Sequence, residues 1–335
     1  MTAQDLHRAG LFAALRPRAS VKESVGIPGT AAAERVLTAR LFDSLEFEVL
    51  PGRGFDIGDT WYRGVPLSWF SPVRDARSLP APSGTQWLTR FTGGLVTTCG
   101  FGNIGAATGD EGLHGSAGHL PADEVSWHVD DDASVRFDGV VESVGLFGPS
   151  FRVRRTYRAS VTQGTSWLTI DDEVTNIGPE AASLSMMYHL NFGAPLVAPA
   201  STVTVESREV VASGTHPEVP DWGILPEPVG HLAEAVFEHR DASSSAAGFA
   251  RATLLSSVVD LGIVVEWSAE TLPRMYQWVF PTRNRWALGI EPATAPLFGP
   301  ERDAEHAGAP VLEPGMSRSQ KVRIAVGSRE QAKHA

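Results

Sequence analysis

A two-residue hydrophobic alternation, repeated along most of the chain, is the feature that most limits what this sequence can fold into. Leu45, Phe47 and Val49 alternate with Glu46 and Glu48, and Phe151 and Val153 alternate with Arg152 and Arg154 ahead of Tyr157. Successive side chains of a strand point to opposite faces, so this period marks strands with one face buried and one face wet. Further strands are expected at Val135 to Val144, Trp167 to Val174, Thr202 to Val211, Leu261 to Trp267, Trp286 to Ile290 and Gln320 to Val326. Long amphipathic helices are nearly absent; the best short candidate is Gly230 to Phe237. No regular exchange of strand with helix appears, which argues against a doubly wound fold or a (βα)8 barrel. The pattern predicts a mostly β protein of antiparallel sheets packed face to face, with few short helices.

Turn residues agree with many short strands: 33 glycines and 23 prolines are spread along 335 residues rather than gathered in a repeat or linker. Residues 1–32 lack sustained periodicity and are expected at the periphery, 33–328 as one β domain, and 329–335 as a polar tail. The single cysteine, Cys99, leaves no disulfide framework and fits a reducing compartment. A net charge of −11 offers no cationic footprint for nucleic acid. Charged residues interrupt every early apolar run, so no secretory signal or membrane span is read, and a cytoplasmic location is expected.

Three segments concentrate chemically able side chains. The first, Trp87 to Pro121, is rich in glycine and offers Arg90, Asn103, His114 and His119 as hydrogen-bonding groups in a loop system that could approach a ligand closely. Gly100, Gly102 and Gly105 form a G-x-G-x-x-G, but no helical pattern follows to receive a pyrophosphate, so a dinucleotide site is disfavoured. Ser116 lies in no nucleophile elbow. The second segment places His189 in the apolar run MMYHLNF, either as a satisfied core histidine or as an acid or base in a pocket. The third ends a hydrophobic strand with Glu291 and Pro292. A carboxylate there needs a ligand or a partner such as Arg283 or Arg285. A metal held by His114, His119, His189 and Glu291 is a rival use, without HExxH or CxxC spacing behind it.

Taken together, these residues resemble the galactose mutarotase (aldose 1-epimerase) superfamily and, within it, the bacterial branch called DUF4432. The resemblance rests on Thr98, Cys99, Gly100, Asn103 and Gly105; on Leu113, His114, Gly115, Pro121 and Ala122; on Tyr188, His189, Asn191, Phe192 and Gly193; and on Gly289 through Thr294. It covers about 200 residues. Leu272 and Pro273 before Trp278, and Leu312 with Pro314 and Gly315, add support.

The resemblance implies a β-supersandwich with a carbohydrate pocket on a concave sheet face and an isomerase needing no cofactor. In such enzymes a glutamate removes the anomeric hydroxyl proton while a histidine protonates the ring oxygen. Glu291 falls on the base, His189 on the acid, His114 on the substrate-orienting histidine, and Arg90 more loosely on an arginine that contacts sugar hydroxyls. Asn103, His119, Asp221 and Trp278 complete the expected substrate-binding set. Trp127 and Trp222 compete with Trp278 as a stacking surface for the sugar. Here Met187 and Tyr188 precede His189 where the superfamily commonly has an asparagine before its histidine.

A monosaccharide or sugar derivative is thus the expected partner, with a homodimer possible and neither nucleic acid nor membrane expected. Arg274, Arg283 and Arg285 flank the Glu291 segment and could recognise an anionic sugar. The alternatives are a carbohydrate-binding protein without turnover and metal-assisted sugar chemistry on the same scaffold.

Overall fold

The computed structural model describes residues 3–12, 17–26, 34–73, 82–109 and 111–334. Two large antiparallel sheets form the framework. The larger runs, neighbour by neighbour, through Ala19–Val25, Arg35–Leu41, Leu45–Leu50, Asp56–Tyr62, Val96–Phe101, Ser185–Phe192, Ala287–Ala293, Arg274–Phe280, Ala235–Ala242 and Ser207–Ala212. The smaller runs through Thr202–Val205, Phe249–Leu255, Gly262–Ser268, Ser317–Gly327, Thr165–Asn176, Phe151–Thr162, Val135–Ser143 and Ala122–Val129.

Alternating strands turn their apolar face to the other sheet, whereas Ser185–Phe192 and Ala287–Ala293 are buried on both faces. Phe47, Phe55, Phe101, Tyr188, Leu190 and Ile290 from the larger sheet share one core with Phe137, Phe151, Tyr157 and Ile170 from the smaller. Ring pairs such as Phe47 with Phe137 (5.9 Å) and Phe101 with Phe151 (5.7 Å) bridge the layers. Each fully buried side chain of this size contributes about 1.5–3 kcal/mol, so burial of these faces drives the two sheets together.

A charged group lies inside that core. Arg155, from the smaller sheet, donates to both Asp172 oxygens (2.9 and 2.7 Å), to Asp56 Oδ1 (2.9 Å) and to Thr98 Oγ1 (2.8 Å) in the larger sheet. Asp56 also accepts from the Thr98 N–H (2.8 Å) and hydroxyl (2.5 Å). The Tyr188 hydroxyl donates to Asp172 Oδ2 at 2.6 Å. Fork geometry and shared donors let one guanidinium satisfy two buried carboxylates at once.

Several segments differ from the sequence expectation. Ala19–Val25, inside the segment placed at the periphery, forms an edge strand paired with Arg35–Leu41, while residues 13–16 and 27–33 lie outside those described. The helix expected over Gly230 to Phe237 is not formed: Ala235–Ala242 is a strand between two others, with Ala235 and Phe237 turned into the core. The run Thr202 to Val211 is two strands, because the chain passes at Glu206 from the smaller sheet to the larger. Near the C-terminus, the short helix Arg329–His334 seats Ala332 against Val264 and Ala325. Among the described residues no helix is long and apolar enough to cross a membrane.

Replacing Arg155 by alanine strands Asp56 and Asp172 in the core. It is expected to cost about 3–5 kcal/mol, read as a lowered urea midpoint with an unchanged m value.

Candidate active site

The face of the larger sheet turned away from the smaller one carries the site. Along Ser185–Phe192, Met186, Tyr188 and Leu190 enter the inter-sheet core, so Met187, His189 and Asn191 point the other way. The neighbouring Ala287–Ala293 strand does the same with Gly289 and Glu291, and Arg274–Phe280 with Tyr276, Trp278 and Phe280. His189 and Glu291 therefore meet on one face, His189 Nε2 lying 3.2 Å from Glu291 Oε1. Gly289, two residues earlier on the same face, makes room for the carboxylate: a Cβ there would run into Glu291 Oε1 and Trp278 Cβ.

Aromatic rings enclose the pair. Phe91 and Trp278 stand 5.4 and 5.5 Å from the His189 ring, and Trp87 stacks on Phe91 at 4.2 Å. Trp69 touches both Phe91 (5.4 Å) and Trp278 (5.9 Å). Beside this wall opens a cleft of about 450 Å³ lined by Trp69, Phe91, Glu234, Trp278, Phe280 and Arg285 among others.

Burial sets the acid–base chemistry. His189 and Glu291 are 4% and 2% exposed, and loss of water penalises the charged form of each. Desolvation, with the nearby His114, pushes the His189 imidazolium down to about 3. Desolvation, with the negative charge of Glu234, pushes the Glu291 carboxyl up to about 8. Between these limits the pair holds a single proton, so one acid and one base sit side by side across neutral pH. His189 Nδ1 and Glu291 Oε1 have no hydrogen-bond partner among the described residues, as expected of polar atoms waiting for a ligand.

His114 joins the pair, its ring 5.8 Å from His189 and 4.5 Å from Trp87. Its Nδ1–H donates to the Ile104 carbonyl at 2.6 Å, leaving Nε2 as the acceptor in the neutral ring. Burial holds its imidazolium down at about 4.

Other expected site residues have different places. Asn103 spends its amide within the chain: its nitrogen lies 2.9–3.1 Å from the carbonyls of Gly105, Ala106 and Gly112, and its oxygen accepts from the Gly105 N–H and Arg302. It shapes the loop that presents His114. His119 ends the Ala117–His119 turn, where burial and the charges of Arg53 and Arg90 push it down to about 4. Arg90 follows the Gln86–Thr89 turn that seats Trp87, and its Nη1 donates to the Thr89 carbonyl. Asp221 is exposed and caps its own loop through the Gly223 N–H (2.8 Å). It lies across the sheet from the pair, since adjacent Trp222 meets Gln277 and His239, whose side chains leave by the opposite face from Trp278. Trp127 belongs to the outer edge of the smaller sheet. Arg274 is engaged by Glu238 and Glu301. Glu291 takes His189 rather than Arg283 or Arg285 as its neighbour. Among the described residues no group of three or more His, Cys, Asp or Glu side chains could hold a metal ion, so the metal-binding use lacks a ligand set there.

Sequence reasoning missed Trp69, Trp87, Phe91 and Glu234. Only the four-residue spacing of Trp87 and Phe91 hinted that both share one side of a turn. Glu234 accepts from Trp278 Nε1 (3.2 Å), at the end of the segment read as a helix.

The same fold recurs in solved structures. A candidate aldose 1-epimerase from Klebsiella pneumoniae superimposes with a TM-score of 0.85 at 21% identity, over 94% of this chain and 85% of that one. A galactose mutarotase-like protein from Clostridium acetobutylicum gives 0.61 at 15% identity over 92% and 98%. Galactose 1-epimerase from Lactobacillus acidophilus gives 0.59 at 12% over 92% and 98%. The fold is thus that of the galactose mutarotase-like β-sandwiches. Within them the chain belongs to the family described as a domain of unknown function, DUF4432, whose model matches residues 31–326. Among curated proteins none matches it.

A buried carboxyl held above its ordinary range costs stability as pH rises. In the unfolded chain Glu291 loses its proton near 4.5, in the folded chain near 8, so the folded state is penalised progressively between these values. His189 is present in both proteins compared, and above about pH 7.5 it is neutral in both the folded and the unfolded state. Between pH 6.5 and 9 the melting temperature of the natural protein should therefore fall relative to that of Glu291→Gln, with the gap levelling off beyond about pH 8. Parallel melting curves would show that Glu291 titrates normally.

Proposed function

We propose that the protein is an aldose 1-epimerase-like isomerase that interconverts sugar anomers by acid–base ring opening. The observation that carries this reading is the buried His189–Glu291 pair at 3.2 Å beneath an aromatic wall. Mutarotation requires proton removal from the anomeric hydroxyl and proton delivery to the ring oxygen, two atoms bonded to the same carbon. A neighbouring acid and base that together hold one proton supply both.

Near neutrality the pair's proton rests on Glu291; its transfer to His189 across the 3.2 Å contact primes the forward step, in which the Glu291 carboxylate takes the hydroxyl proton and the His189 imidazolium gives one to the ring oxygen. The carbon–oxygen ring bond breaks and the anomeric carbon becomes an aldehyde. Rotation about the C1–C2 bond presents its other face. Closure then runs the transfers in reverse, with the protonated Glu291 as acid and His189 as base, which restores the starting state. His114 Nε2, left as an acceptor, orients a sugar hydroxyl, and Glu234 at the cleft wall is suited to accept another. Trp278 offers its face to the apolar side of the ring. The pair exchanges no electrons with substrate, so proton transfer alone completes this cycle.

Exchange NMR on a panel of neutral and acidic aldoses tests the reading. Anomer exchange above the buffer rate should fall about 10²- to 10⁴-fold in both Glu291→Gln and His189→Ala. Saturable sugar binding without acceleration, persisting in Glu291→Gln, would instead indicate a carbohydrate-binding protein. The pH profile of kcat/KM should be level near neutrality and decline above about pH 8, as the pair loses its shared proton. A profile level to pH 10 would contradict the assignment of Glu291.

A further inference from the structure

We infer that the sugar handled by this site carries an anionic group, a carboxylate, sulfonate or phosphate, at the end remote from its anomeric carbon, and that Arg285 binds it. This rests on the proposed mutarotase reading and specifies its substrate class.

The placement of charge along the cleft carries the inference. From the His189 ring, Trp278 lies 5.5 Å away, and Phe280, two residues on along the same strand, stacks on Trp278 at 5.2 Å. These rings stack face to face in a row that leads along the strand, away from the acid–base pair and towards the turn after it. Arg285 stands on that turn, its backbone fixed by an N–H bond to the Thr282 carbonyl (2.9 Å), and lines the same cleft. A pyranose with its anomeric carbon at Glu291 would extend its exocyclic end past this row into the cleft that Arg285 lines.

The two charged side chains lining the described cleft differ in how they are occupied. Glu234 accepts from the Trp278 indole N–H. Arg285 is exposed, with no side-chain hydrogen bond or ion pair among the described residues, whereas Arg274, at the start of the strand that carries Trp278, is held by two glutamates. The walls around Arg285 are otherwise largely apolar: Trp69, Pro72, Val73, Leu88, Phe91 and Leu232. A guanidinium presents paired donors that match a carboxylate, sulfonate or phosphate, and an apolar surround strengthens the contact. The net charge of −11 does not oppose this, because the local field at the cleft governs a bound group.

Matched sugar pairs provide the test: galactose with galacturonate, glucose with glucuronate, glucose with glucose 6-phosphate, and glucose with its 6-sulfonate. Exchange NMR gives kcat/KM for each. In at least one acidic series the charged sugar should exceed its neutral partner about tenfold or more, and the series that does so identifies the anion. Arg285→Ala should bring that ratio to about one, with Arg285→Lys in between because it keeps the charge but loses the fork. Neutral sugars equal to or better than every acidic partner, or a ratio unchanged in Arg285→Ala, would overturn the inference and leave the mutarotase reading standing.

Calorimetric binding of the same sugars to Glu291→Gln reads Arg285 without turnover. An acid preference that depends on Arg285, without exchange in the natural protein, would support the anion site and remove the mutarotase reading. Absence of both binding and exchange across the panel would overturn both.

Discussion

Arg155 is the constraint on which the rest of the sandwich depends. Its guanidinium lies between the two sheets and joins Asp172 of its own sheet to Asp56 and Thr98 of the other. Apolar packing specifies that two faces meet, but weakly specifies how far one may slide over the other. A buried cation with two carboxylate partners tolerates one registration. Tyr188 extends the network into the strand that carries the site, through its hydroxyl on Asp172. A one-residue slip of that strand would send His189 into the inter-sheet core and Tyr188 to the opposite face.

With one face of the larger sheet committed to the core, its other face is free to hold chemistry that a core would reject. Glu291 and His189 sit there dry enough that both favour their neutral forms. The cost in stability falls on the groups proposed to act, in keeping with functional sites that are not at the stability optimum. Backbone supports the arrangement as much as side chains do. Gly289 leaves space for the carboxylate, and the Ile104 carbonyl fixes the His114 tautomer.

Much of the site was legible because its residues sit in period-two strands or in a motif that the superfamily resemblance marks. Glu291, His189, His114 and Trp278 are brought together. Asn103 was expected among the substrate-binding residues, and its three carbonyl neighbours give it a place in shaping a loop. Asp221 looked suitable only because it adjoins a tryptophan; Trp222 belongs to the opposite face of the sheet. Trp69, Phe91 and Glu234 were not legible, since an aromatic residue in a β protein reads as core until the sheet is assembled. Glu234 was hidden by a helical reading of Gly230 to Phe237. Local spacing there mimics a helix, while pairing with Arg274–Phe280 decides for a strand.

By itself, the sequence determined the class of architecture, because alternation of apolar and polar residues dictates strands with one buried face wherever they pair. It also determined which residue types were available for proton transfer. Only the tertiary structure decided which of the two faces each strand turns to the core, and therefore that residues 102 positions apart, His189 and Glu291, stand 3.2 Å from one another. Strand order in a sheet is set by long-range pairing and by the Arg155 network between layers. Neither is encoded in any local window of the chain.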